Sequence, residues 1–328
     1  MLRLIAYAVF VKFNSINISI EYKKSPRKGA FKMKLNKVII IAVVIVIICF
    51  AILGSLKIID NKKIENNSKD NNLMVSENEK EEITIYDIED GYINVPYNNL
   101  ANKHEYQFDN SLKRNGEFYE YEDEKYKSKI GIDVSSYQGD IDWKKVKDAG
   151  VEFAILRLGF RGYGEKGIVL IDEKFEENYQ NAINNGINIG VYFFSQAINS
   201  NEVNEEIEMI LNNIKDKKIE YPVIFDLEKI KNDSARTDNL TQEEITNLAL
   251  EFCNKIKESG FKPCVYGNAK TFTTRMKLES LNDYEKWYAD YMEKPLYPYD
   301  FNIWQYTENG KVDGIAGNVD INICFEKK

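Results

Sequence analysis

The chain predicts an α/β fold, an irregular TIM-like β/α barrel of about five βα units followed by three strands, preceded by a transmembrane helix and a flexible linker. Three observations predict it. Apolar, β-branched runs recur at 131–135, 152–158, 187–194, 221–227, 262–267, 286–291, 302–306 and 319–324. Helix-forming segments separate the first five of these, and strands alternating with helices imply a mainly parallel sheet. After the fifth run the spacings are too short for full helices, which abbreviates the end of the barrel.

The elements justify themselves in order. Residues 1–37 read as a cytoplasmic segment in which Met33, opening Met-Lys-Leu-Asn-Lys, resembles a start and residues 1–32 an upstream extension. Residues 38–56 (VIIIAVVIVIICFAILGSL) are almost wholly apolar and long enough to cross a bilayer as a helix. Lys32, Lys34 and Lys37 precede this run closely, so the positive-inside tendency leaves everything after it outside the cell. The run is long for a signal peptide and lacks a clean A-x-A site, which favours an uncleaved anchor. Residues 57–127 read as an extracellular linker or stalk: 60–82 is rich in Asn, Lys, Glu and Ser. From 83 to 127 tyrosines appear without a clear period, leaving short strands and a wall-spanning stalk equally open. Residues 128–328 form the barrel. Within it Thr241-Gln-Glu-Glu244 is a capping box opening a helix that ends near Gly260. Asp142 can cap the helix ending at Gly150, and Asp172 the one ending at Gly186.

The chemistry is carried by carboxylates at strand ends. In YPVIFDLE (221–228), Asp226 and Glu228 are two residues apart, so on a strand they face one side about 6–7 Å apart along the chain. Val223, Phe225 and Leu227 cover the other face. Asp133 stands opposite Ile132 and Val134, and Asp320 and Asn322 stand opposite Val319, Ile321 and Ile323. An exposed acidic strand end would explain one such motif. Three strands each delivering an inward carboxylate gather like charges, which costs free energy and usually marks a functional site. Paired carboxyls suit glycoside hydrolysis, one protonating the leaving oxygen and one stabilising positive charge on the sugar.

Composition removes the competing chemistries. The net charge of −8 argues against nucleic acid. The single histidine, His104, precedes the strand-rich region, which excludes Ser-His-Asp and Cys-His catalysis and His-based zinc sites. Cys49, Cys253, Cys264 and Cys324 show no C-x-x-C spacing and read as free thiols, although a Cys253–Cys264 disulfide is open. No metal and no cofactor are expected.

Five motifs then carry a resemblance. GIDVSSYQGDIDW (131–143), YPVIFDLE (221–228), WYADY (287–291), IWQYT (303–307) and VDIN (319–322) together resemble the glycoside hydrolase family 25 muramidases, the Chalaropsis-type lysozymes, over about 130–325. The resemblance implies cleavage of the β-1,4 bond between N-acetylmuramic acid and N-acetylglucosamine in peptidoglycan. By position, Glu228 corresponds to the proton donor and Asp226 to the carboxylate near the 2-acetamido group. Asp133 and Asp320 correspond to the aspartates of the first and last strands. Like-charge neighbours are expected to raise the pKa of Glu228 while Asp226 stays ionised. The acetamido-assisted and the inverting course both stay open.

Strand parity adds substrate-binding aromatics: Tyr192 with Phe194, Tyr266, and Trp287 with Tyr291, each also explicable as core, and Gln305 from the fourth motif. Trp143, in the first turn of a helix, reads as core. Expected partners are peptidoglycan glycan strands and, through 38–56, the lipid bilayer; the expected location is the cell membrane with the barrel on the wall side. An anchored hydrolase suits remodelling or local opening of the cell's own wall. Two rival functions are a barrel glycosidase for another N-acetylated glycan and a non-catalytic wall-binding module. The latter should have lost Glu228 or Asp226.

Overall fold

The computed structural model describes residues 81–328 except Asn232; the anchor expected at 38–56 and the segments 1–37 and 57–80 lie outside the described residues. Two hairpins come first: β1 (Glu82–Asp87) with β2 (Gly91–Pro96), and, after a short helix α1 (Phe108–Ser111), β3 (Leu112–Asn115) with β4 (Phe118–Tyr121). The elements that follow are β5 (Tyr126–Val134), α2 (Trp143–Asp148), β6 (Phe153–Arg161), β7 (Val169–Ile171), α3 (Phe175–Asn184), β8 (Asn188–Phe194) and α4 (Ser200–Ile214). Then come β9 (Val223–Asp226), α5 (Gln242–Glu258), β10 (Pro263–Asn268), β11 (Glu285–Ala289), β12 (Ile303–Gly310) and β13 (Val319–Lys327).

All eight apolar runs are strands, but the architecture corrects the expected TIM-like β/α barrel. The strands form a closed eight-stranded β-barrel in the order β5-β13-β12-β11-β10-β9-β8-β6, closed by β6 pairing with β5, with β7 attached outside β6. Among the described residues only α2, α3, α4 and α5 cover it as crossover helices. The fifth βα unit is missing: 269–284 contains a π-helical turn at Thr271–Arg275 and a 3₁₀ turn at Leu278–Leu281. Clustered β-branched residues at Thr271, Thr273 and Thr274 are poor material for a long helix. The short 311–318 connection returns β13 antiparallel to β12, and β13 closes the barrel antiparallel to β5 as well.

Caps explain where the helices start. The Asp142 carboxylate accepts from the Lys145 amide, and Thr241 and Glu244 form the reciprocal box at α5. The expected Asp172 cap is corrected. Lys174 occupies that position without a side-chain cap; Asp172 Oδ1 accepts from the Lys174 amide at 2.9 Å, just ahead of the helix, while its Oδ2 is held by Arg157 Nε at 2.7 Å and the Ser136 amide at 3.0 Å.

Pleat alternation divides the buried residues into two layers. Inside the barrel lie Phe153, Ile155, Ile224, Cys264, Tyr266, Trp287, Ala289 and Ile303. Outside, Ile132, Val134, Phe225 and Leu227 pack against the shell with Phe252 of α5. Each such buried side chain contributes about 1.5–3 kcal/mol. The lower lumen is filled by Phe153, which stacks on Tyr221 at 4.2 Å, and only Gly131 fits beneath it: a Cβ there would lie 2.2 Å from the ring. Trp143 is buried as expected, its indole donating to Asn178 Oδ1 at 3.3 Å. Cys253, Cys264 and Cys324 are free thiols, and Cys49 lies outside the described residues.

The folded body reaches back to β1. Tyr106 stacks on Phe325 at 4.1 Å, Tyr119 on Trp304 at 5.4 Å, and the Asn98 amide donates to the Tyr299 hydroxyl at 2.7 Å. His104 is held in this layer by the Tyr106 amide and the Tyr297 carbonyl.

Candidate active site

The carboxylates meet where the parallel strands end. Asp133 lies near the end of β5, Asp226 is the last residue of β9, Glu228 follows two residues later, and Asp320 enters from the antiparallel β13 directly opposite Asp133. With Tyr192, Tyr266, Trp287, Tyr291 and Gln305 they line a cavity of about 200 Å³. Two larger cavities, of about 780 and 810 Å³, contain none of these carboxylates.

Phe194 is the sequence-predicted residue that the structure leaves out. The β6–β8 register shifts between Arg157 and Gly159, and Phe194 pairs with Phe160 above that shift. It stands half-exposed, paired with Asp226 of β9, and does not line the cavity. Conversely, Ile88, Lys231 and Glu308 line the cavity and carried no sequence signal. Lys231 follows the YPVIFDLE motif by a short loop, so proximity to Glu228 was its only possible pointer. Ile88 is distant in sequence and had none.

A chain of hydrogen bonds sets the polarity of the floor. The Trp287 indole, which can only donate, bonds Asn322 Oδ1 at 2.7 Å; the Asn322 amide nitrogen is thereby turned to Asp133 Oδ2 at 2.8 Å. The Tyr266 and Tyr291 hydroxyls donate to Gln305 Oε1 at 2.9 and 3.2 Å, so that Gln305 Nε2 donates to the same Asp133 oxygen at 2.9 Å. Two aromatic-anchored amides therefore each donate one N–H to the same carboxylate oxygen and favour its ionised form. Tyr266 and Tyr192 flank Trp287 edge-on, with centroids at 4.6 and 6.1 Å, so these rings are part of the lumen core as well as of the cavity wall.

Electrostatics raises the proton affinity of the whole cluster. Burial pushes Asp133 up to about 6, against its amide donors. Burial lifts Glu228 to about 7, aided by the charges of Glu89 and Asp133 and opposed by Lys231 and Arg275. Asp320 is pushed up to about 9, by burial first and then by Asp133 and Glu308. Asp226 is raised well above the usual carboxylate range, by burial and then by Glu228 and Asp133, with Arg157 pulling the other way. The expected rise at Glu228 is present. An Asp226 that simply stays ionised is not: burial first, and then Glu228 and Asp133, outweigh the pull of Arg157, whose guanidinium bonds Asp172 and Ser136. Asp226 Oδ1 is buried without a hydrogen-bond partner, the one site carboxylate oxygen so placed among the described residues. An acceptor left in that state is available to a positive charge or an N–H that arrives with a ligand.

Comparison with known proteins bears on this geometry. Residues 132–315 match the family model of glycosyl hydrolases family 25. The autolytic lysozyme of Clostridium acetobutylicum is 26% identical over 193 residues, covering 58% of this chain and 54% of that protein. Lysozyme M1 of Streptomyces globisporus is 29% identical over 207 residues, covering 58% and 66%. Among solved structures, the modular autolysin LytC of Streptococcus pneumoniae in complex with a synthetic peptidoglycan ligand superimposes with a TM-score of 0.53 at 25% identity, covering 61% of this chain and 47% of that one. The chain thus spans about half to two thirds of the length of the relatives it matches.

Proposed function

The chain belongs to glycosyl hydrolases family 25, and from that premise we propose that it is a peptidoglycan hydrolase of the muramidase type. The observation that carries the reading is the buried carboxyl cluster at the barrel mouth, in which Glu228 is lifted to about 7 and Asp226 keeps an unpartnered oxygen. Glu228 is the general acid: protonated near neutral pH, it delivers its proton to the glycosidic oxygen. Asp226 meets the positive charge that develops on the sugar or its acetamido group, and that charge draws it into the ionised form. Asp133, already favoured as an anion by Asn322 and Gln305, and Asp320 beside it complete the negative field. Trp287, Tyr192, Tyr266 and Tyr291 supply rings and hydroxyls to the sugar.

The test is digestion of purified peptidoglycan followed by borohydride reduction and mass spectrometry. Reduced N-acetylmuramic acid is the expected new end. Reduced N-acetylglucosamine would indicate a glucosaminidase, and binding without cleavage a wall-binding module.

The location follows from the sequence alone: residues 38–56 anchor the protein in the cell membrane with the barrel on the wall side. Protease added to spheroplasts should then remove the barrel. A protected barrel contradicts that orientation, and a soluble one beginning near residue 55 contradicts the anchor.

A further inference from the structure

The tip of the β1–β2 hairpin lies well before the region that matches the family, 132–315, yet it reaches the catalytic cavity. Ile88, in the turn between the two strands, lines the cavity with all four carboxylates and packs against the lumen core. We propose that Ile88 is a specificity-determining residue of this enzyme, a fixed apolar wall that contacts the glycan bound over Asp226 and Glu228. The inference rests on the muramidase reading for the identity of that glycan.

Three observations support a built wall rather than a passing loop. Asp87, fully buried, organises the turn: its Oδ1 accepts from the Glu89 and Asp90 amides at 2.9 and 3.2 Å, and its Oδ2 accepts from the Lys270 amide at 2.8 Å. The tip is thereby tied to the segment that follows β10 at the mouth, and a Lys270–Asp90 ion pair adds a second tie. On the other side Glu89 reaches Lys231, in the loop after Glu228, at 3.7 Å. Ile88 itself makes none of these bonds and is only half-buried, so its alkyl surface is left facing the cavity. A sugar ring presents an apolar face and an N-acetyl methyl that such a surface can cover, while its hydroxyls and amide reach the acids and tyrosines opposite. The charge of Glu89 also acts on Glu228, consistent with the tip standing directly beside the acid.

The experiment uses the full chain. Ile88→Ala should raise KM for wall glycan about tenfold, the order expected for lost apolar contact in a binding pocket, with kcat within twofold and an unchanged melting temperature. In parallel, the full chain carrying Glu228→Gln and 13C-labelled isoleucine methyls is titrated with a soluble N-acetylglucosamine–N-acetylmuramic acid tetrasaccharide, the Trp287 indole signal reporting occupancy. The Ile88 methyl should shift in step with Trp287, while Ile93, on the same hairpin but away from the cavity, should not. A shift of Trp287 with Ile88 unmoved, or a wild-type KM in Ile88→Ala, overturns the proposal. If the Ile88 methyl moves although the active chain fails to digest wall, the contact stands and the muramidase reading falls; if neither signal moves, both fall.

Discussion

Glu206 on α4 and Asp226 at the end of β9 are both withdrawn from solvent, and one residue joins them. The Ser195 amide donates to the Asp226 carbonyl at 2.7 Å, and the Ser195 hydroxyl donates to Glu206 Oε2 at 2.7 Å. Their surroundings differ in kind. Glu206 Oε1 accepts from Arg161 Nε at 2.6 Å, and Arg161, itself buried, spends its remaining N–H groups on Gly167, Glu202 and Glu205. Burial lifts Glu206 to about 7, but every lone pair that matters has a donor. Asp226 is as deeply buried, keeps Oδ1 without a partner, and shares its space with three more acids. On the proposed reading the difference is that between a structural acid and a functional one: a satisfied group stabilises the fold, and an unsatisfied cluster costs stability that a ligand can recover.

The sharpest way to break this comparison is to neutralise one acid from each cluster. Glu228→Gln should lower turnover on purified wall by at least about 10²–10⁴-fold with the fold intact. Glu206→Gln leaves Arg161 without its buried counter-charge and should cost about 3–5 kcal/mol in denaturant melts, while the folded fraction keeps its kcat. Loss of stability without loss of rate in Glu228→Gln, or the reverse in Glu206→Gln, would invert the assignment.

A smaller effect sharpens it through pH. The folded pKa of Glu228 is raised from 4.5 to about 7, so its contribution to stability is complete below pH 4.5 and is lost as pH rises through about 7. Glu228→Gln removes that loss. The variant should therefore melt a few degrees above wild type at pH 8, with the gap closing below pH 4.5. The same acid must be protonated to act, so wild-type rate should fall on its alkaline side near pH 7. A Glu228→Gln variant that melts lower than wild type at pH 8 would show that the cluster is not strained.

The smallest expected change tests the floor. Trp287→Phe keeps an aromatic ring, though a smaller one, and removes the donor that orients Asn322, a bond contributing about 0.5–1.5 kcal/mol. Wall digestion should slow by roughly threefold to tenfold by that energy. An unchanged rate would mean that Gln305 alone holds Asp133.

Strand parity is a local property, and the residues whose position depends on it were legible. Asp226 between Phe225 and Leu227, Asp133 between Ile132 and Val134, and Asp320 between Val319 and Ile321 could face only one way once the apolar residues were buried outside, whereas Glu228, beyond the end of β9, is placed by the loop that follows. The caps at Asp142 and Thr241 were likewise written within four residues. Asp172 misled because the helix starts after Lys174: Asp172 Oδ1 holds the Lys174 amide and its Oδ2 the long-range guanidinium of Arg157, which no local pattern reveals.

What the amino-acid order determined, then, is which side each strand shows and which acids share it, because pleat and side-chain burial act over neighbouring residues. What only the tertiary structure decided depends on contacts far apart in the chain. The antiparallel closure by β13 replaced the β/α barrel that alternation predicted, Phe194 came to lie half-exposed and outside the cavity lining, and the docking of Asp87 on Lys270 carried Ile88 to the carboxylates. Each of these depends on contacts between segments far apart in the chain, to which a local pattern contributes only its own few residues.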